Sequence, residues 1–132
     1  MIFVDTSFWV GFTNRRDAQH EQAKALLAAH DKDRLVTINE VCGETWTFLR
    51  RRAGRAVAVR FQDAVPASPR VEVLRVSEAV EADAEQWLRR RDDREFSWTD
   101  ATSFATMRQL RTAEAFALDG DFAAAGFTEL RI

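Results

Sequence analysis

The chain has 132 residues, about one domain's worth, and that is enough to bury a core without disulfides or a structural metal. With 46% hydrophobic and 30% charged residues and only 5 Gly and 2 Pro, its usage is globular, which excludes a disordered, collagen-like or linker chain. The net charge of −2 removes the simplest argument for a non-specific nucleic-acid binder, unless the charge is segregated. One Cys and two His cannot form an internal disulfide or a zinc site at standard spacing, and His20 and His30, ten positions apart in one helical stretch, are expected to be surface residues. No basic flank precedes Ile2-Phe3-Val4 and no run of 18 apolar residues occurs, so no signal peptide or membrane span is expected, and a cytoplasmic location is.

Ile2-Phe3-Val4 reads as a short buried strand that feeds a helix through Asp5-Thr6-Ser7. Residues 17 to 30 have the periodicity of an amphipathic helix, and Leu35-Val36-Thr37-Ile38 follows as a second strand, with Asn39 placed to cap the next helix. That helix, 40 to 52, carries Val41, Thr45, Phe48 and Leu49 on one stripe, with Glu44 among them and Glu40 on the same face. Gly54 ends it, 56 to 65 forms another helix before a Pro-containing break, and Val71-Glu72-Val73-Leu74 is a third strand. Ser77 caps a helix to about residue 91, and Ser97-Trp98-Thr99-Asp100 opens one to about residue 110. Ala115-Phe116-Ala117-Leu118 is a fourth strand ending in Asp119-Gly120-Asp121, and residues 127 to 132 are a fifth, at an edge. No repeat and no linker interrupts 1–132, so one domain is expected. Short apolar strands alternating with helices predict an α/β fold, a three-layer α/β/α arrangement around a mostly parallel sheet of four to five strands.

In such sheets ligands bind beyond the carboxyl ends of the strands, where Asp5 and Asp119 fall, with Glu44 one turn into a helix and Asp100 in the first turn of another. Each acid has a plain structural use, as a cap, a dipole partner or a turn residue. Gathering them is costly, on the order of 4 kcal/mol for two like charges about 4 Å apart at an effective dielectric of 20, unless a cation sits between. Magnesium or manganese suits an all-oxygen set that leaves room for water, and carboxylate-held ions in open clefts hydrolyse phosphodiesters. Thr6 and Ser7 can donate to a phosphate or to the acids, and Thr99 and Ser103 can orient Asp100, or these residues simply cap helices.

Four stretches, IFVDTSFWV, VTINEVCGETWTFLRRR, SWTDATSFATMR and AFALDGDFAAAGF, together give the chain a pattern that resembles the PIN domain family over essentially its whole length. The likeness is to small prokaryotic, VapC-like toxins of type II toxin–antitoxin pairs. The resemblance implies a Mg2+- or Mn2+-dependent ribonuclease with Asp5, Glu44, Asp100 and Asp119 as its acidic quartet. Asp5 and Asp100 would be the chief metal ligands, Asp121 accessory, and Glu40 the rival of Glu44. It also implies a homodimer and an antitoxin that places a basic side chain in the acidic site.

Only Lys24 and Lys32 are lysines, so 17 of the 19 basic residues are Arg. They cluster at Arg50, Arg51, Arg52 and Arg55, which are candidates to bind RNA, and at Arg89, Arg90, Arg91 and Arg94, read as a solvated helix end. The tryptophans are assigned to core or interface, and the crowding of Phe8, Trp9, Val10 and Phe12 suggests a dimer or antitoxin contact. A binding module with little catalysis is the main rival. Phosphotransfer is disfavoured because no D-x-D follows the first strand and Val71 to Leu74 ends in Arg75.

Overall fold

The computed structural model describes residues 1–132. Its elements are β1 (Ile2–Val4), α1 (Thr6–Thr13), α2 (His20–Ala29), β2 (Leu35–Ile38), α3 (Asn39–Arg52), α4 (Arg55–Ala67), β3 (Val71–Leu74), α5 (Glu78–Arg90), α6 (Trp98–Leu110), β4 (Glu114–Phe116), α7 (Asp121–Ala124) and β5 (Thr128–Glu129). The five strands run in the order β3-β2-β1-β4-β5, and every pairing is parallel, so "mostly parallel" becomes wholly parallel. Chain order moves outward from β1 through β2 to β3, then returns to β4 on the other side. Right-handed crossovers therefore place α1–α4 on one face of the sheet and α5–α7 on the other. The direction of winding changes between β1 and β4, and that switch point opens a crevice at their carboxyl ends.

β1 and β2 are buried on both faces, which is why they read as unbroken apolar runs rather than alternating ones. Five phenylalanines, Phe3, Phe8, Phe104, Phe116 and Phe122, are fully buried. Phe8 stacks on Phe116 at 4.6 Å, and Phe104 meets Phe122 edge-on at 4.8 Å. Thr37, a polar residue in buried β2, donates its hydroxyl to the Val4 carbonyl at 2.8 Å and so leaves no unmet group.

Several sequence expectations shift. Asn39 does not cap α3: the N-cap position is Ile38, with no side-chain bond, because Asn39 Oδ1 accepts from the Val76 amide at 2.8 Å just past β3. The second helix starts at His20 because Asp17 makes a local turn, its Oδ1 accepting from the Gln19 amide. α4 runs on through Pro66, which sits in its last turn. β4 ends at Phe116, and only Thr128–Glu129 of the tail pairs as a strand. The four-residue α7 is too short to leave a periodic signal. The apolar crowding on α1 is mostly internal: Phe8, Trp9 and Val10 are buried within this chain, with Trp9 edge-on to Phe61 of α4. His20 and His30 are half-buried rather than free surface residues. His20 Nδ1 lies 2.9 Å from the Gly11 carbonyl in the last turn of α1, and His30 pairs with Asp33 while packing edge-on to Phe116. No helix is long and apolar enough to cross a membrane.

Candidate active site

Asp5 leaves β1 and caps α1, so its structural and chemical uses coincide. Its Oδ2 accepts from the Ser7 amide at 3.1 Å and from the Ser7 hydroxyl at 2.7 Å. Ser7 Oγ in turn accepts from the Leu118 amide at 2.9 Å, which joins the ends of β1 and β4 across the switch point. Asp5 is 2% exposed, and its carboxyl is pushed up to about 8. Burial is the largest cause and the Asp119 charge the next; the Ser7 bonds oppose them, and Asp100 adds a smaller push upward. Replacing Ser7 by Ala is expected to cost about 1–2 kcal/mol of stability, because the Leu118 amide and the Asp5 carboxylate both lose a partner. Urea unfolding of the two proteins checks this.

Asp100 stands three residues after the N-cap of α6 in a capping box: its Oδ2 accepts from the Ser97 amide at 3.0 Å, and its amide donates to Ser97 Oγ at 2.9 Å. It is 8% exposed, and burial raises it to about 6, with Asp121 and Asp119 adding to the rise against the Ser97 amide bond. Asp119 lies at the mouth of the crevice on the loop after β4. Gly120, with φ +87°, turns that loop so that the Asp121 amide donates to Asp119 Oδ1 at 3.1 Å. The surrounding protein also holds the Asp119 carboxyl above its usual range, helped by Asp121 and Glu129.

Asp5, Glu44, Asp100 and Asp119 line one cavity of about 260 Å³. Thr6, Ser7, Asp17, Gln19, Phe48 and Arg52 also border it. Five carboxylates therefore share this cleft with a single cation. Glu40 is outside it, in an adjoining recess with Asn39, Thr47 and Thr99 that shares Glu44 and Phe48 with the cleft. Asp121 sits behind Asp119 and is paired with Arg94 at 2.8 Å.

The suggested helper residues divide. Ser7 holds Asp5, whereas the buried Thr6 hydroxyl has no partner and caps nothing. Ser103 does not orient Asp100: its hydroxyl donates to the Thr99 carbonyl at 2.7 Å, back into its own helix, and Ser97 does that work instead. Thr99 is buried beside the adjoining recess, its carbonyl accepting from Thr102 and Ser103. Of the four candidate RNA-binding arginines, Arg52 borders the cleft and stacks over Phe48 at 4.8 Å. Arg50 and Arg51 are exposed and outside the cleft lining, because successive positions of α3 point 100° apart, and Arg55 is exposed at the start of α4, also outside it. Asp17 and Gln19 escaped the sequence reading because they belong to a turn with no motif. The sequence places Arg94 in a solvated run, whereas the fold sets it against Asp121.

No three of the carboxylates are drawn close enough together to form a ready-made cage for an ion. The donor set is nonetheless all oxygen, strongly uncompensated, and supplied by separate elements around an open cleft. These residues fit a hard divalent cation that keeps part of its water shell, rather than zinc or a dehydrated site.

A sequence model of the PIN domain matches residues 2–128. The chain belongs to the PIN domain family. Across 131 residues it is 50% identical to a protein described as 23S rRNA-specific endonuclease VapC20 in two Mycobacterium tuberculosis strains, CDC 1551 / Oshkosh and H37Rv, with 99% of this chain and 98% of the relative covered. The crystal structure of M. tuberculosis VapC20, described as a sarcin–ricin loop cleaving toxin, superposes with a TM-score of 0.95 at 48% identity over all of both chains. The parallel sheet flanked by helices is thus the PIN fold.

Proposed function

We propose that this PIN domain is a metal-dependent endoribonuclease, the toxin of a type II toxin–antitoxin pair, that cuts large-subunit ribosomal RNA in the sarcin–ricin loop. The observation that carries the proposal is the cleft itself, where five acids face one arginine at the switch point of the sheet. Asp5, Asp100, Asp119 and Glu44 would hold Mg2+ or Mn2+. Such an ion, when bound, lowers the pKa of a water and balances charge on the phosphate. Asp5 stays in place through Ser7, and Asp100 through Ser97, so neither has to reorganise when RNA arrives. Arg52, at the cleft border, offers a bidentate donor to a backbone phosphate. Full-length likeness to VapC20 supports the RNA target and the toxin role.

An antitoxin is part of the proposal. An open groove of about 890 Å³ lies among α1, α2 and α4 and is floored by Trp9, Phe12, Leu27 and Phe61, with Arg15, Arg60, Arg70 and a Lys24–Glu21 pair around it. An amphipathic helix with acidic flanks fits that surface. A homodimer is also proposed, for which mass in solution is the measurement. The rival reading, a binding module without catalysis, has to explain why uncompensated acids are held together at a cost.

The test is incubation of ribosomes with the purified protein and mapping of new RNA ends by primer extension. One cut in the sarcin–ricin loop with Mg2+ or Mn2+, and none with chelator, is expected. Metal-independent cutting, or cuts scattered along the RNA, would contradict the proposal.

A further inference from the structure

Arg94 is the one cation in ion-pair contact with the acidic cluster of Asp5, Glu44, Asp100, Asp119 and Asp121. Its Nε and Nη2 lie 2.9 and 2.8 Å from Asp121 Oδ1, and Nη2 is 3.5 Å from the Asp119 carbonyl. The loop that carries it is fastened on both sides. Arg91 stacks over Trp87 at 4.8 Å and reaches the Ala124 carbonyl at 3.3 Å, while Phe96 packs edge-on to Trp87 at 4.9 Å. These contacts tether the loop to α5 and to the end of α7, and Arg94 stands beside Asp119 at the mouth of the cleft.

The Arg94 side chain is 42% exposed. The Asp121 side chain is 21% exposed, so the pair is open to water on the Arg94 side and contributes about 1 kcal/mol, little enough for a phosphate to compete for the guanidinium. Both Arg94 nitrogens converge on the one oxygen Oδ1, so the planar fork is not matched two-to-two by the Asp121 carboxylate, whereas two oxygens of a phosphate can receive it in that way, and Arg52 borders the cleft from α3, on the other side of β1.

We propose that Arg94 is an RNA-binding residue, whose guanidinium exchanges the Asp121 carboxylate for a backbone phosphate of the RNA strand that enters the cleft. The inference rests on the nuclease reading above. Arg94 and Arg52 then hold the strand on either side of the acids, and their two positive charges offset part of the repulsion that a polyanion meets there.

The experiment is fluorescence anisotropy with a labelled sarcin–ricin stem-loop, in Mg2+, on an Asp5→Asn background that does not cut. Adding Arg94→Ala is expected to weaken binding about tenfold, the size of one charge-assisted contact, and to lower the salt slope by about one counterion. Arg94→Lys should recover part of the loss. Arg108→Ala, which breaks a similar surface pair with Asp83 elsewhere, should change nothing. A double-mutant cycle separates contact from simple counter-charge: with Asp121→Asn present, the loss on removing Arg94 should persist. If that loss vanishes, or if Arg94→Ala binds RNA like its parent, the inference is overturned while the nuclease reading stands. If Asp5→Asn still cuts RNA, the site assignment fails and the inference fails with it.

Discussion

Asp100→Asn is expected to abolish RNA cutting, a loss of at least about a thousandfold, since a carboxylate holding a catalytic ion supplies several kcal/mol to the transition state. The substitution is gentle on the fold. An Asn side-chain oxygen can still accept from the Ser97 amide, and the Ser97 hydroxyl still receives the residue-100 amide, so the α6 cap survives. It also removes a charge that burial and the Asp121 and Asp119 carboxylates hold up to about 6. Lost activity with an unchanged or higher melting temperature would therefore place Asp100 in the chemistry. A parallel fall in stability would assign it to the helix cap alone. Single-turnover cleavage and thermal melting of the same preparations separate the two.

The metal-free protein should be more stable after Asp5→Asn, by about 2–5 kcal/mol near pH 7.5, because a carboxyl that burial and the Asp119 and Asp100 charges force to keep its proton is replaced by a neutral isostere. Its melting temperature should rise by about 5 °C or more. The pH dependence follows the same carboxyls. Asp5 is raised from 3.8 to about 8 and Asp100 from 3.8 to about 6, so over that range the folded chain keeps protons that the unfolded chain has released. Their contribution to stability is full below about pH 4 and is lost as pH rises through 6 for Asp100 and 8 for Asp5. Chelator-treated wild type should thus lose stability from pH 5 to pH 8, and Asp5→Asn should flatten most of that slope. A slope equal in both proteins would mean that Asp5 is not the buried acid responsible.

The residues behind these effects were unevenly legible in the sequence. β1 and β2 are buried on both faces, so their apolar runs announced a parallel sheet, and strand ends located the acids. Glu44 stood out as a charge on an apolar stripe, and it borders the cleft whereas Glu40 does not. What escaped was non-local. Ser97, not Ser103, holds Asp100, because Ser103 finds a nearer acceptor in the Thr99 carbonyl. Asn39 gave up its expected cap to the Val76 amide, a partner that only the folded β3 brings near. Arg94 looked like one more charge after a basic helix end, and only the return of the chain through β4 sets Asp121 against it. Asp17 joined the cleft through a turn whose placement depends on how α1 meets α2.

Calorimetric titration of Mn2+ into metal-free protein, in buffers of different ionisation enthalpy between pH 6 and pH 8, tests most directly whether the cleft is a metal site. Wild type should bind the ion with release of protons from the raised carboxyls, more tightly as pH rises, and Asp5→Asn and Asp100→Asn should each lose most of the affinity. Equal binding by wild type and both variants, or no binding by wild type, would contradict the account.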